Sequence, residues 1–313
     1  MLDQIDRAAV IGAGLMGRRI AGVMARAGIE VVLADADPGV AEAGAEVARE
    51  MASTTLGSVM SPDPGAITWT ADLDAAVSEA QFVTEAVIED VDIKRALMAR
   101  LGAAAPAAIL ASNTSVLPIS AIAAATPDPQ RVVGTHWWNP PDLIPIVEVV
   151  RGASTSDATM DRTFALMTRL GKLPVRVERD VPGFVGNRLQ HALWREAIAL
   201  VAEGVCDAQT VDLVVRNTIG LRLAQMGPIE NADYVGLDLT LAIHRAVIPA
   251  LNADRDAHPH LAQLVAEGNL GAKTGQGFLT WQPGDRDLAA THLAQHIQRQ
   301  LSEQDPHHDR RGA

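Results

Sequence analysis

"AAVIGAGLMG", residues 8–17, reads as a short apolar strand, Ala8 to Ile11, running straight into a turn with glycines at 12, 14 and 17. The chain beyond the turn reads as helix: Ile20, Val23, Met24 and Ala27 recur on one face, and Gly28 stands where a C-cap needs a positive φ. Strand, G-x-G-x-x-G and helix, in that order, make a dinucleotide-binding fingerprint. Gly12 permits the tight turn, Gly14 lets a pyrophosphate approach the backbone, and Gly17 lets helix and strand pack closely. The first helical N–H groups lack intrahelical partners and so suit phosphate. Leu15 and Met16, in the same turn, join the three glycines as cofactor-contact candidates. The next apolar run, "IEVVLAD", ends at Asp35. A carboxylate there accepts both ribose hydroxyls of an adenosine and repels a 2′-phosphate, so NAD is expected rather than NADP.

Further strands are expected at 80–87, 107–112, 131–136, 145–150 and 173–177, with helical patterns separating the early ones. That alternation implies an α/β fold, a Rossmann-like doubly wound parallel sheet. The pattern changes at "RDVPGFVGNR", residues 179–188, after which Val185, Leu189, Leu193 and Leu200 recur at helical spacing. The expected organisation is an NAD-binding domain over 1–180, an all-helical domain over 181–302 for substrate and dimerisation, and a frayed polar tail over 303–313. Only "GFLTW", near residue 279, breaks the helical reading of the second part.

The totals agree with a two-domain chain: 313 residues, 48% hydrophobic and 20% charged. A net charge of -12 argues against nucleic acid or an anionic membrane as partner. No apolar run reaches the length of a membrane span, and the first residues read as a strand rather than a signal peptide. The single cysteine, Cys206, excludes an internal disulfide, and a cytoplasmic location is expected. Of 26 basic side chains only Lys94, Lys172 and Lys273 are lysines. Where a chain so rich in arginine keeps lysine, a compact ammonium is the expected reason.

The second informative stretch is "GTHWWNPPDLIPIVEVV", residues 134–150. Glu148 lies in an otherwise apolar run, where an ionised carboxylate costs several kcal/mol unless paired. A hairpin-like connection through "NPPDLIP" would bring it to His136, fixing the tautomer of the imidazole and raising its basicity, as a general base near neutral pH requires. Ser115, in "ASNTS", and Asn187, in "PGFVGNR", are further polar candidates. His292 and His296 have the spacing of a metal pair but no third ligand, so a solvated helix face is expected and no metal.

Together these stretches resemble the L-3-hydroxyacyl-CoA dehydrogenase family over roughly residues 6–282, through "GAGLMG", "EAVIEDVDIK", "SNTS", "HWWNP", "VPGFVGNR", "MGPIENADYVGLD" and "KTGQGF". The resemblance implies His136 as catalytic base, Glu148 as its supporting carboxylate, and Ser115 and Asn187 as residues that orient the reacting oxygen. It implies cofactor contacts at Glu89, Lys94, Ser115, Asn139 and Lys273, a homodimer, and a 3-hydroxyacyl-CoA substrate from fatty acid metabolism. The departures concern substrate. "HFFNP" is here "HWWNP", and no lysine, arginine or histidine occurs between Arg49 and Lys94, where CoA-using relatives carry a basic arm. CoA brings roughly four negative charges, which an acidic chain without that arm attracts poorly. A free hydroxy acid such as carnitine or gulonate, or a pyridine carbaldehyde acid, is the alternative substrate. A redox-inactive NAD-binding protein is the alternative from another class.

Overall fold

The computed structural model describes residues 4–53, 61 and 63–303. Eight strands form one sheet: β1 Arg7–Ile11, β2 Glu30–Ala34, β3 Ile67–Thr70, β4 Phe82–Glu85, β5 Ile109–Ser112, β6 Val132–Trp137, β7 Ile146–Val150 and β8 Leu173–Val177. Their order is β3-β2-β1-β4-β5-β6-β7-β8, all neighbours parallel except β6 and β7. The chain reverses direction across the sheet between β1 and β4, so a crevice opens at the carboxyl ends of those strands. β1 buries alternate residues on opposite faces: Ala8 and Val10 join one core cluster, Ala9 and Ile11 the other. A strand buried on both sides is why the run looks continuously apolar.

Helices α1 Leu15–Arg26, α2 Pro38–Ser53, α3 Leu73–Val77, α4 Val91–Ala104, α5 Ile119–Ala123 and α6 Asp157–Arg169 cover this sheet, and α7 Gly186–Ala202 comes after it in the chain. The expected strands are all present. β3 is an addition: "ITWT" is four residues long and half exposed at the sheet edge, too short for a periodic signal. At the opposite edge β8 contains Pro174, a residue that edge strands tolerate.

Among the described residues, the first compact unit runs through Arg188 and takes in 297–303; the second is Leu189–His296. The start of α7 goes with the first unit because its backbone bonds to Glu148 in the sheet. The second unit contains α8 Ala208–Asn217, α9 Ile219–Leu223, α10 Pro228–Val235, α11 Leu237–Val247 and α12 Pro259–Ala266; α13 Asp285–Glu303 spans the boundary. "GFLTW" contributes only an isolated bridge, Gln276 to Thr280, and no strand. Residues 304–313 of the expected tail, and 54–60 and 62 of the short arm, lie outside the described residues. No helix among the described residues is long and apolar enough to cross a membrane.

Candidate active site

The glycine turn has the shape that a dinucleotide demands. Gly12 has φ +95°, and a methyl group at Gly17 would overlap the Gly12 carbonyl, so neither position admits a side chain. Gly14 is open: an added Cβ would meet no atom within 4 Å. Its backbone is therefore free to be approached. Beside the turn lies a cleft of about 690 Å³ whose lining includes Gly12, Gly14, Asp35, Ile93, Leu97 and Arg100. The fit to an adenosine with its pyrophosphate is good. Asp35 closes β2 and accepts hydrogen bonds from Ala13 N (2.9 Å) and Asp37 N (3.1 Å), so it also pins the glycine turn. Leu15 is half exposed at the first helical position, and Met16 packs on the core. Ile93, Leu97 and Arg100 carry little signal in the sequence.

His136 and Glu148 stand directly opposite each other in the antiparallel register of β6 and β7. Both are buried, and His136 Nδ1 lies 2.6 Å from Glu148 Oε2. The other carboxylate oxygen accepts from Val185 N (2.9 Å) and Gly186 N (3.2 Å), at the start of α7. Burial alone would raise the Glu148 carboxyl; the hydrogen bonds from His136, Val185 and Gly186 and the nearby imidazole outweigh it, leaving the carboxyl below its ordinary range. Three donors to a charged acceptor, at roughly 1.5–3 kcal/mol each, offset a desolvation cost of several kcal/mol. An ionised Glu148 can only accept, so Nδ1 carries a proton, which in the neutral ring leaves the lone pair on Nε2. Because this carboxyl ionises more readily folded than unfolded, its stabilisation is complete above the ordinary carboxylate range. It is lost as pH falls through the depressed value.

The "ASNTS" segment comes at the end of β5, and its polar side chains divide their work. Ser112 Oγ bonds to Glu85, Asn113 Oδ1 accepts from Trp137 N (3.0 Å), and Thr114 Oγ1 donates to Glu89 (2.6 Å). Glu89 also accepts from Ser115 N (2.8 Å) and Val116 N (3.0 Å), with Lys94 Nζ at 3.3 Å. Burial would raise the Glu89 carboxyl, but Thr114, Lys94 and the two N–H groups hold it below the ordinary range. Ser115 is exposed, and Asn187 Nδ2 donates to its carbonyl at 2.9 Å, linking the loop to α7. Ser115, Asn187, His136 and Glu148 thus share one hydrogen-bonded region.

Three expected cofactor contacts remain, Lys94, Asn139 and Lys273. Lys94 is fully enclosed, its Nζ bonding to both oxygens of Glu85 (3.0 and 2.8 Å) and to Val87 O (3.3 Å). Its visible work is to neutralise a carboxylate on β4 that sequence reasoning did not single out. Asn139 is exposed just before Pro140. Lys273 is exposed in the second unit, in the turn bracketed by the bridge between Gly271 and Gln276. The two tryptophans separate. Trp137 is 2% exposed in the core, whereas Trp138 is half buried with its ring 5.1 Å from the His136 ring. A methyl group at Gly186 would overlap Trp138, so that glycine is needed for space.

Residues 7–181 match the model of the 3-hydroxyacyl-CoA dehydrogenase NAD-binding domain, and residues 183–281 that of the 3-hydroxyacyl-CoA dehydrogenase C-terminal domain. The chain belongs to the 3-hydroxyacyl-CoA dehydrogenase family. It is an NAD-dependent dehydrogenase acting on CH–OH. Within the family it is similar to the 5-formyl-3-hydroxy-2-methylpyridine 4-carboxylate 5-dehydrogenase of Mesorhizobium japonicum, with 38% identity over 89% of this chain and 92% of that one. It is equally similar to a 3-hydroxybutyryl-CoA dehydrogenase of Mycobacterium tuberculosis, with 39% identity over 90% and 100%. The solved structures discriminate more. A crystal structure of a 5-formyl-3-hydroxy-2-methylpyridine 4-carboxylic acid 5-dehydrogenase, described as an NAD+-dependent dismutase, covers 96% of this chain and 100% of its own at TM-score 0.90 and 33% identity. FadB2 of M. tuberculosis, over 90% and 100% at 36% identity, reaches 0.71.

Proposed function

We propose that this dehydrogenase oxidises a compact substrate without CoA, of the pyridine carbaldehyde acid class, with the His136–Glu148 pair as its base. The observation that carries the reading is Trp138, a flat ring set against the His136 imidazole with a glycine cleared to admit it. Such a surface suits a planar ring, which stacks in offset or tilted contact. The backbone match at TM-score 0.90 and the stretch from Arg49 to Lys94 without a basic residue support it.

When bound, NAD supplies the hydride acceptor. His136 Nε2 takes the proton from the hydroxyl oxygen borne by the carbon that loses hydride, and Glu148 stabilises the resulting imidazolium. Ser115 and Asn187 hold the reacting oxygen, and Glu89 keeps the Ser115 loop in place. A hydrated aldehyde, R–CH(OH)2, presents the same CH–OH unit as a secondary alcohol. Loss of one hydride and one proton gives R–COOH from the first and a ketone from the second, so one base serves both substrates.

The second reading is 3-hydroxyacyl-CoA oxidation, favoured by the family models and the hydroxybutyryl-CoA relative. A steady-state screen with NAD separates them, comparing 3-hydroxybutyryl-CoA with pyridine carbaldehyde acids, carnitine, gulonate and free 3-hydroxy acids. The expected result is a kcat/KM above about 10⁴ M⁻¹s⁻¹ for an aldehyde acid and a far lower one for the CoA ester. The reverse order overturns the reading.

The same proposal includes a homodimer through the helical unit in a reducing, cytoplasmic setting. Ile229 and Tyr234 on α10, Leu221 on α9, Leu237 on α11 and Leu213 on α8 are all more than half exposed. That much apolar surface implies a cover, which an isologous second copy supplies. Light scattering at micromolar concentration is expected to give twice the chain mass; a monomer contradicts it.

A further inference from the structure

Lys172 is a buried cation that the proposed mechanism does not use. It sits just before β8, and its Nζ donates to two carbonyls of the connection between β6 and β7: Pro141 O at 2.5 Å and Ile144 O at 3.0 Å. It also lies 5.5 Å from the centroid of the Trp137 ring, the residue next to His136. Between those two carbonyls, Asp142 pairs with Arg19 of α1 at 2.7 Å. The connection that joins the His136 strand to the Glu148 strand is therefore held from two sides. One side is the β8 edge through Lys172, the other the helix of the glycine turn through Arg19.

We propose that Lys172 is a positioning residue for the catalytic base: by holding the 138–145 connection it sets His136 against Glu148 and against the cofactor helix. The proposal rests on the reading of His136 as base. The site calls for a compact amine, since two carbonyls and an indole face must be met from one buried point. An arginine fork does not fit that geometry, which accounts for one of the three lysines the chain retains.

The environment also makes the clamp titratable. Burial, then the neighbouring charge of Arg26, push the Lys172 ammonium down to about 8, with Asp142 acting against them. The charged and titratable groups around it are thus Arg26, Arg19 and Asp142. Folding disfavours this charge. Between about pH 8 and the ordinary lysine value the unfolded chain holds the extra proton, so folding stability from this group rises with pH. As pH rises through about 8 the folded amine loses its charge and one of its three N–H donors, and its grip on the two carbonyls weakens.

The test uses the whole enzyme with NAD added and isotope-labelled lysine and histidine. With three lysines, the Nζ spectrum is simple to assign. The expected result is that the His136 ring signals change with the same midpoint as the Lys172 Nζ signal, near pH 8. In Lys172→Met that change disappears, kcat falls roughly 10- to 100-fold, and the acid limb of the kcat/KM profile moves while NAD affinity holds. His136 signals that pass unchanged through the Lys172 titration overturn the proposal, as does a folded Lys172→Met enzyme with wild-type kcat and pH profile. Should that variant not fold, the wild-type titration decides alone. Failure of the base reading looks different: His136→Ala would keep its activity whatever the lysine signal does.

Discussion

His136→Ala is expected to lower turnover by about 10²- to 10⁴-fold while NAD binding stays nearly unchanged. The size comes from what the side chain supplies: without Nε2 no protein group is held to take the hydroxyl proton as the hydride leaves. The separation from binding comes from the fold. The glycine turn and Asp35 are organised by β1 and β2, whereas His136 is held by β6, β7 and the first turn of α7. Glu148→Gln is a subtler probe. An amide still accepts a hydrogen bond but cannot stabilise an imidazolium, so a smaller loss of kcat and a displaced acid limb are expected. Steady-state kinetics from acid to mildly alkaline pH, with NAD affinity by calorimetry, check both. A His136→Ala enzyme with wild-type turnover on its best substrate removes the base from the mechanism.

Lys94→Met is expected to destabilise the fold by about 3–5 kcal/mol, the cost of leaving a buried carboxylate without its partner. Lys94 and Glu85 are both fully buried and joined through both carboxylate oxygens, and Ser112 and Glu89 share the cluster. Removing the cation leaves two carboxylates beneath the loop that carries Ser115. Denaturant unfolding measures the loss. The double variant Lys94→Met/Glu85→Gln is expected to recover a substantial part, because the stranded charge is gone. If the single variant is as stable as wild type, the ion pair contributes no more than a surface pair would.

Legibility in the sequence differed from residue to residue. The glycine turn was fully readable, since each of its constraints is local: φ at Gly12, contact at Gly17 and open backbone at Gly14. The burial of Glu148 was readable as a cost in need of a partner, and His136 was the nearest candidate. Glu85 was not readable in the same way. The expected strand over 80–87 ran past it; in the structure β4 ends at Glu85, and only the sheet and Lys94 show that the carboxylate is buried and paired. Trp137 and Trp138 looked alike in sequence. Strand alternation sent one into the core and left the other beside the imidazole.

The chain's own order of residues therefore determined the nucleotide end of this protein: strand, turn and helix are contiguous, and their steric rules act over a few bonds. The unequal use of lysine and arginine also pointed to compact ammonium groups; Lys94 and Lys172 are buried and Lys273 is exposed. The tertiary structure decided how the candidate catalytic groups are held together. The antiparallel register puts His136 across from Glu148, α7 returns from a later part of the chain to donate two N–H groups, and the β6–β7 connection is held between Lys172 and Arg19. Those contacts join segments brought together by sheet order and burial, and their energies come from desolvation, which has no value until the surrounding chain excludes water.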